Sequence, residues 1–146
     1  MRFTRATTVL IALLAGYWGA AACGQDDGHD GASSAGAACD AADECYPDAD
    51  PEEIQGEVLC LDRVPGGYCT HTCVTDEDCC AAEGECDGRR QVCAPFESTG
   101  MMMCFLSCED EDLGDDEGDD YCREYASESF TCRSTGGGPN NRKVCA

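Results

Sequence analysis

Fourteen cysteines are strung between Cys39 and Cys145, and Cys23 makes fifteen in a chain of 146 residues. That density constrains the fold more than any other feature, because the rest of the chain cannot build an ordinary interior. If the N-terminal segment is removed before Cys23, 124 residues remain. Only 13 of them, about 10%, are Leu, Ile, Val or Phe. They carry 30 acids against 7 bases, a formal charge of 7 − 30 = −23. Such a composition is ordinarily disordered. Ordering the backbone costs roughly 1–2 kcal/mol per residue, and so little apolar area does not offset it. Cross-links must supply the difference, at roughly 2–4 kcal/mol for each disulfide. An ordinary cored enzyme domain, a polytopic membrane protein and an unaided nucleic-acid binder are excluded on these grounds.

The N-terminus reads as an address. In residues 1–22, Arg2 and Arg5 form a cationic start, and Val9 to Ala22 is apolar. Fourteen residues fall short of the roughly 20 that span a bilayer as a helix. The stretch ends in small residues, Ala20-Ala21-Ala22, as export cleavage requires. An uncleaved membrane helix is the competing reading, and the length and the polar sequence that follows oppose it. Ala20-Ala21-Ala22-Cys23 resembles the lipobox of bacterial lipoproteins, with Ala20 where that family prefers Leu. The resemblance implies that the Cys23 thiol receives a diacylglyceryl group and that Cys23 becomes the acylated N-terminus. Gly24, where an Asp resembles an inner-membrane retention signal, points to the outer membrane. Parity agrees, since setting Cys23 aside leaves fourteen cysteines, enough for seven disulfides. Plain cleavage at the same site, giving a freely secreted product, is the alternative.

Residues 24–38, GQDDGHDGASSAGAA, hold no apolar side chain larger than Ala. With Cys23 they form a lipid-anchored linker, residues 23–38, expected to be flexible with a root-mean-square reach of roughly 20 Å. His29 within it reads as a solvated side chain.

From Cys39 to the C-terminus the cysteines repeat. The first unit is Cys39, Cys45, Cys60 and Cys69. The second is Cys73, Cys79, Cys86 and Cys93. The third is Cys108, Cys122, Cys132 and Cys145, entered through Cys104. The units span residues 39–69, 73–93 and 104–145. In each, acids precede the second cysteine. Cys69-x3-Cys73 recurs as Cys104-x3-Cys108, and Arg90-Gln91-Val92-Cys93-Ala94 matches Arg142-Lys143-Val144-Cys145-Ala146. Cys80 and Cys104 are left over, and a bond between them is one pairing open to them. Asp87-Gly88 between Cys86 and Cys93 signals a hairpin. Pro65-Gly66-Gly67 and Gly136 to Asn141 are further turn compositions. No sustained apolar period of 3.6 occurs after Cys23. The expected fold is therefore small and disulfide-rich, of short β-hairpins and loops in three tandem four-cysteine units. Little helix is expected apart from the signal segment, with at most a turn or two around Pro51–Gln55 and Tyr121–Ser127.

The repeated cysteine spacing with acids before the second cysteine, over residues 39–146, resembles the cysteine-rich repeats of outer-membrane lipoproteins of myxobacteria and related deltaproteobacteria. Residues 69–93 are also similar to an inhibitor cystine knot. That likeness implies the pairs Cys69–Cys80, Cys73–Cys86 and Cys79–Cys93.

Candidate chemistry is sparse. No Cys-x2-Cys occurs, which argues against zinc and thioredoxin-type sites. Cys69-x-His71-x-Cys73 reads as disulfide framework, so no metal site and no cofactor is expected. Glu109 to Asp120 has nine acids in twelve residues, but Gly114 and Tyr121 break the calcium-loop frame begun at Asp110. It reads as a solvated, self-repelling loop that attracts divalent cations weakly. Asp48 to Glu53 reads the same way. Met101-Met102-Met103 reads as filler, and Arg89-Arg90 as solvated side chains on a hairpin tip, which a trypsin-like protease would meet only if the chain were an inhibitor. No catalytic motif is present. The expected partners are a membrane, reached through the lipid, and an unidentified protein or glycan ligand, with no nucleic acid. The chain reads as an exported, acidic, non-catalytic binding or structural module. A secreted knottin-like inhibitor or a calcium-dependent adhesion module is the alternative.

Overall fold

The computed structural model describes residues 35–86, 88–96, 100–136 and 141–146. The signal segment, Cys23, His29 and the linker up to residue 34 lie outside the described residues, as do Asp87 and residues 137–140 of the expected turns. The chain folds as three antiparallel hairpins, each preceded by a short helical piece. Strands β1 (Val58–Cys60) and β2 (Cys69–His71) form the first, β3 (Gln91–Phe96) and β4 (Met101–Leu106) the second, and β5 (Cys132–Ser134) and β6 (Lys143–Cys145) the third. The helical pieces are 3-10 turns at Ala42–Glu44 and Asp76–Cys80, and helix α1 at Gly118–Tyr125. The expectation of a small disulfide-rich fold with short hairpins and little helix is met.

One cysteine arrangement recurs in all three units. Two cysteines face each other directly across each ladder: Cys60 and Cys69, Cys93 and Cys104, Cys132 and Cys145. Directly opposed residues project from the same face of a two-stranded sheet. Each therefore reaches back over that face to the segment before the hairpin, the first cysteine to the third and the second to the fourth. The bonds are Cys39–Cys60 with Cys45–Cys69, Cys73–Cys93 with Cys79–Cys104, and Cys108–Cys132 with Cys122–Cys145. The acids before each second cysteine sit in the first turn of the helical piece: Asp43 and Glu44, Asp76 to Asp78, Asp119 and Asp120. Negative charge is favoured there by the unpaired amides of a helix start. In the middle turn Asp78 Oδ2 accepts the backbone amides of Val74 and Thr75 at 2.7 and 2.9 Å.

This pattern corrects the middle unit. Its third and fourth cysteines are Cys93 and Cys104, not Cys86 and Cys93, and it runs from Cys73 to Cys104. Cys80 pairs with Cys86 instead of Cys104. The strand beginning at Gln91 pairs onward with Met101–Leu106, so the expected hairpin between Cys86 and Cys93 is replaced by one that follows Cys93. The Arg-x-Val-Cys-Ala match is thereby misleading, since Cys93 is a third cysteine and Cys145 a fourth. The x3 spacing is the true joint: Cys69 and Cys104 close one unit, and Cys73 and Cys108 open the next. Of the helical turns expected, the one at Tyr121–Ser127 begins three residues earlier, at Gly118. Pro51–Gln55 is a set of turns without helix.

The units are joined through their closing strands, β2, β4 and β6. Thr72 bridges Met103, and Ser107 bridges Val144, so each closing strand runs on to meet the closing strand of the next unit. Cys73 donates its amide to Met102 O (3.1 Å) and Cys108 to Lys143 O (3.0 Å). The face of the β3–β4 hairpin away from its disulfides lies in the largest core cluster. Val92, Ala94, Met103 and Phe105 alternate with the cysteines along β3 and β4 and are buried. Tyr68 of the first unit, fully buried, lies 5.4 Å from the rings of both Phe105 and Phe130 and joins all three units.

The end of the expected linker is packed into the fold, Ala35 in that largest cluster and Ala37 in a second one, formed mainly by the first unit. Ala35 and Ala37 are buried, Gly36 donates its amide to Cys69 O, and Cys69 donates to Ala37 O. A Cβ added at Gly36, where φ is +100°, would stand 3.0 Å from the Ala126 Cβ, tighter than ordinary packing. The linker composition therefore reflects close packing at residues 35–37. Gly67, in the Pro65-Gly66-Gly67 turn, has φ +76°, and a Cβ there would stand 1.9 Å from Cys39 O. Only glycine closes this turn.

Candidate functional site

Two charged clusters hold the units together, and the more deeply placed is a His–Glu pair. His71 ends β2, with Cys69 and Cys73 on either side, both in disulfides. Its Nε2 lies 2.7 Å from Glu85 Oε1, and neither side chain has solvent-accessible surface. Nδ1 donates to Gln55 O at 2.7 Å, with Thr72 O at 3.1 Å. Carbonyls only accept, so this nitrogen carries a proton, and a second proton lies between Nε2 and the carboxylate. Glu85 Oε2 accepts the Ala82 amide at 2.8 Å. Burial alone pushes the His71 pKa down, but the hydrogen bond and charge of Glu85, with the carbonyls of Gln55 and Thr72, hold it above the ordinary histidine value. Tyr46 packs its ring edge-on to His71, centroids 5.5 Å apart. Burial, with the nearby Tyr68 and Glu85, pushes the Tyr46 phenol far up, and its hydroxyl has no hydrogen-bond partner among the described residues.

Glu85 reaches this site because of the one disulfide outside the repeat. Cys80–Cys86 closes a ring of sequence separation 6, and residues 81–85 of that ring are seated in the first unit. Ala82 joins the cluster of Ala37, Tyr46, Ala49 and Ile54. Gly84 passes so close that a Cβ would stand 2.4 Å from Asp48 O. Chemically, the His71–Glu85 pair stores a proton in a closed site and fastens the second unit to the first.

The second cluster fastens the second unit to the third. Arg142 holds Glu109 through two parallel bonds, Nε to Oε1 at 2.7 Å and Nη2 to Oε2 at 2.9 Å. Its Nη1 contacts both Asp76 oxygens at 2.9 and 2.8 Å. Asp76 Oδ1 also accepts the Cys93 amide at 2.9 Å. Arg90 lies beside Asp76, Glu109, Glu111 and Asp112 at 3.4–3.8 Å. Desolvation pushes the Asp76 pKa up, but the Arg142 bonds and the Cys93 amide outweigh it and leave the carboxyl low. The Arg142 fork lowers Glu109.

These contacts correct several expectations. The first third of the acidic run is not a free, self-repelling loop: Glu109 and Asp112 face arginines, Asp110 pairs with Lys143 at 2.6 Å, and Asp112 accepts Ser107 Oγ. Arg89 and Arg90 are not merely solvated at a hairpin tip. The Arg89 guanidinium lies 3.9 Å over the Tyr125 ring, and Arg90 is among the carboxylates. The knot pairs Cys69–Cys80, Cys73–Cys86 and Cys79–Cys93 do not form. Strand alternation sends Met102 onto the disulfides and Met103 into the core, while Met101, on the Met103 face at the end of the ladder, is exposed. In each unit three sulfurs from the two disulfides lie within 4.8 Å of one another. All are already bonded, so no thiolate is left there for a metal.

Sequence reasoning places Cys39, Cys45, Cys60, Cys69, Cys73, Cys79, Cys80, Cys86, Cys93, Cys104, Cys108, Cys122, Cys132 and Cys145 in disulfides, and the structure does the same. It does not single out Glu85, Asp76 or Arg142 as residues that fasten the units. The adjacency of Glu85 to Cys86 is its only local signal. Among the described residues no helix is long and apolar enough to cross a membrane. Comparison with known proteins returns no match, whether to family models, to curated sequences or to solved structures.

Proposed function

We propose that this chain is an exported protein, lipid-anchored through Cys23 at the outer membrane, whose acidic disulfide domain acts as a non-catalytic binding or structural module. The observation that carries the reading is that the fourteen cysteines from Cys39 to Cys145 are all consumed in seven disulfides, so Cys23 alone is left for another fate. Disulfides on this scale belong to oxidising compartments. Two or more acyl chains on one cysteine give stable membrane attachment where a single chain does not. At −23 the mature chain repels anionic head groups and nucleic acid, so membrane contact comes through the lipid. The rigid, cross-linked surface then serves a protein or glycan partner outside the cytoplasm.

Mass spectrometry of the mature N-terminus, together with detergent phase partitioning, tests this. The proposal expects Cys23 as the first residue, carrying a diacylglyceryl thioether and an N-acyl chain such as palmitoyl. An unmodified, water-soluble product beginning at Cys23 would overturn the anchor and leave free secretion.

A further inference from the structure

We propose that Cys80–Cys86 is a thiol–disulfide exchange site, and that its reduction by a dithiol releases residues 81–85 from the first unit. Three independent observations converge on it. Cys80 is the one exposed cysteine of the fourteen, whereas every other disulfide joins cysteines that are buried or half-buried. Attack on a disulfide requires access to a sulfur. The bond closes a separation of 6, against 20 to 25 for the other six. Loop-closure stabilisation grows with loop length, so this is the bond whose loss the fold tolerates best. It also stands outside the recurring pattern, and breaking it leaves Cys73–Cys93 and Cys79–Cys104 holding the middle unit.

What the bond controls is specific. Within residues 81–85, Ala82 and Glu85 are buried against the first unit and Gly84 lies close to Asp48 O, while Ala81 and Glu83 are exposed. The exchange begins when a thiolate of the dithiol attacks Cys80 Sγ. A mixed disulfide forms, the Sγ–Sγ bond breaks, and Cys86 leaves as a thiolate and takes up a proton. The second thiol of the reductant then displaces Cys80. The protein gains two electrons and two protons, and the reductant becomes its own disulfide. The opened loop no longer holds Glu85 against His71, and His71 becomes reachable from solvent. This inference needs only the disulfides and does not depend on lipidation of Cys23.

The test treats the full oxidised chain with increasing dithiothreitol under native conditions, traps thiols with iodoacetamide, and maps them by peptide mass spectrometry. Carbethoxylation of His71 is followed in parallel. The expected result is alkylation at Cys80 and Cys86 at least about tenfold ahead of every other cysteine, as local opening below global unfolding requires, with His71 modified as those two thiols appear. A Cys80→Ser/Cys86→Ser chain should show His71 reactive without reductant. The proposal is overturned if Cys60, Cys73 or Cys132 is alkylated as early as Cys80, or if His71 stays protected while both Cys80 and Cys86 are alkylated.

Discussion

Cys93 and Cys104 stand directly opposite each other across the β3–β4 ladder and are not bonded to one another. Cys93 is joined to Cys73 and Cys104 to Cys79, both on the segment that precedes the hairpin. The same relation holds for Cys60 with Cys69 and for Cys132 with Cys145. A short hairpin is marginal in water. Two bonds from one face tie it to a helical turn and give it the packing partner that its sequence lacks.

Loss of a repeat disulfide should cost more than loss of the accessory one. Each repeat bond closes a separation of 20 to 25 and contributes roughly 3–4 kcal/mol through the unfolded chain. For Cys80–Cys86, of separation 6, the same relation gives roughly 2–2.5 kcal/mol. Denaturant unfolding of Cys79→Ala/Cys104→Ala and Cys80→Ala/Cys86→Ala chains should show the first pair as the more destabilised. The reverse order would contradict this account of the units.

Glu85→Ala leaves His71 and the Ala82 amide buried without their partner, a change worth roughly 3–5 kcal/mol. The pH dependence carries a sign. The folded His71 pKa lies above the unfolded value, so its contribution is complete below about pH 6.5 and is lost as pH rises through the folded value. Stability of the wild type should therefore fall on going alkaline from that point. In Glu85→Gln the desolvated imidazole should titrate below its ordinary value and the slope should reverse. Imidazole NMR titrations paired with unfolding curves read both.

Arg142→Lys should cost roughly 1–2 kcal/mol, because an ammonium cannot reproduce the two-pronged hold on Glu109 while reaching Asp76. Asp76 and Glu109 titrate low in the folded chain. Their contribution is present above their unfolded values and is lost as pH falls through the folded ones. Acid unfolding of Arg142→Lys should begin at higher pH than that of the wild type. Coincident acid transitions for the two proteins would show that the clasp adds nothing.

Tyr68→Ala removes the ring shared by the three units and should destabilise by roughly 3–5 kcal/mol. Tyr68→Phe keeps the ring but strands the Leu106 amide, which donates to the phenol oxygen at 3.3 Å, and should cost roughly 1–3 kcal/mol. Thermal melts of both variants place them in that order.

What the sequence makes legible is what cysteine spacing and glycine turns encode locally. The β1–β2 hairpin is readable from Cys60, Cys69 and Pro65-Gly66-Gly67, and the x3 joints at Cys69–Cys73 and Cys104–Cys108 mark the units. The middle hairpin is misplaced for a physical reason: Asp87-Gly88 is a stronger turn signal than the Glu97 to Gly100 sequence. Meanwhile the alternation of Val92, Ala94, Met103 and Phe105 is interrupted by cysteines that face the other way. The start of α1 is hidden because Asp119 and Asp120, favourable in a first helical turn, continue a longer acidic run. Adjacency to Cys86 is the only local mark of Glu85 among the 30 acids, and Glu44 and Asp78 also directly precede a cysteine. The role of Glu85 arises from a ring closure that carries it to His71, fourteen residues away.

Mapping the disulfides of the oxidised protein decides whether each unit joins its first cysteine to its third and its second to its fourth. The expected bonds are Cys39–Cys60, Cys45–Cys69, Cys73–Cys93, Cys79–Cys104, Cys80–Cys86, Cys108–Cys132 and Cys122–Cys145. A bond across any ladder, such as Cys93–Cys104, or a knot pair such as Cys73–Cys86, would contradict this pairing.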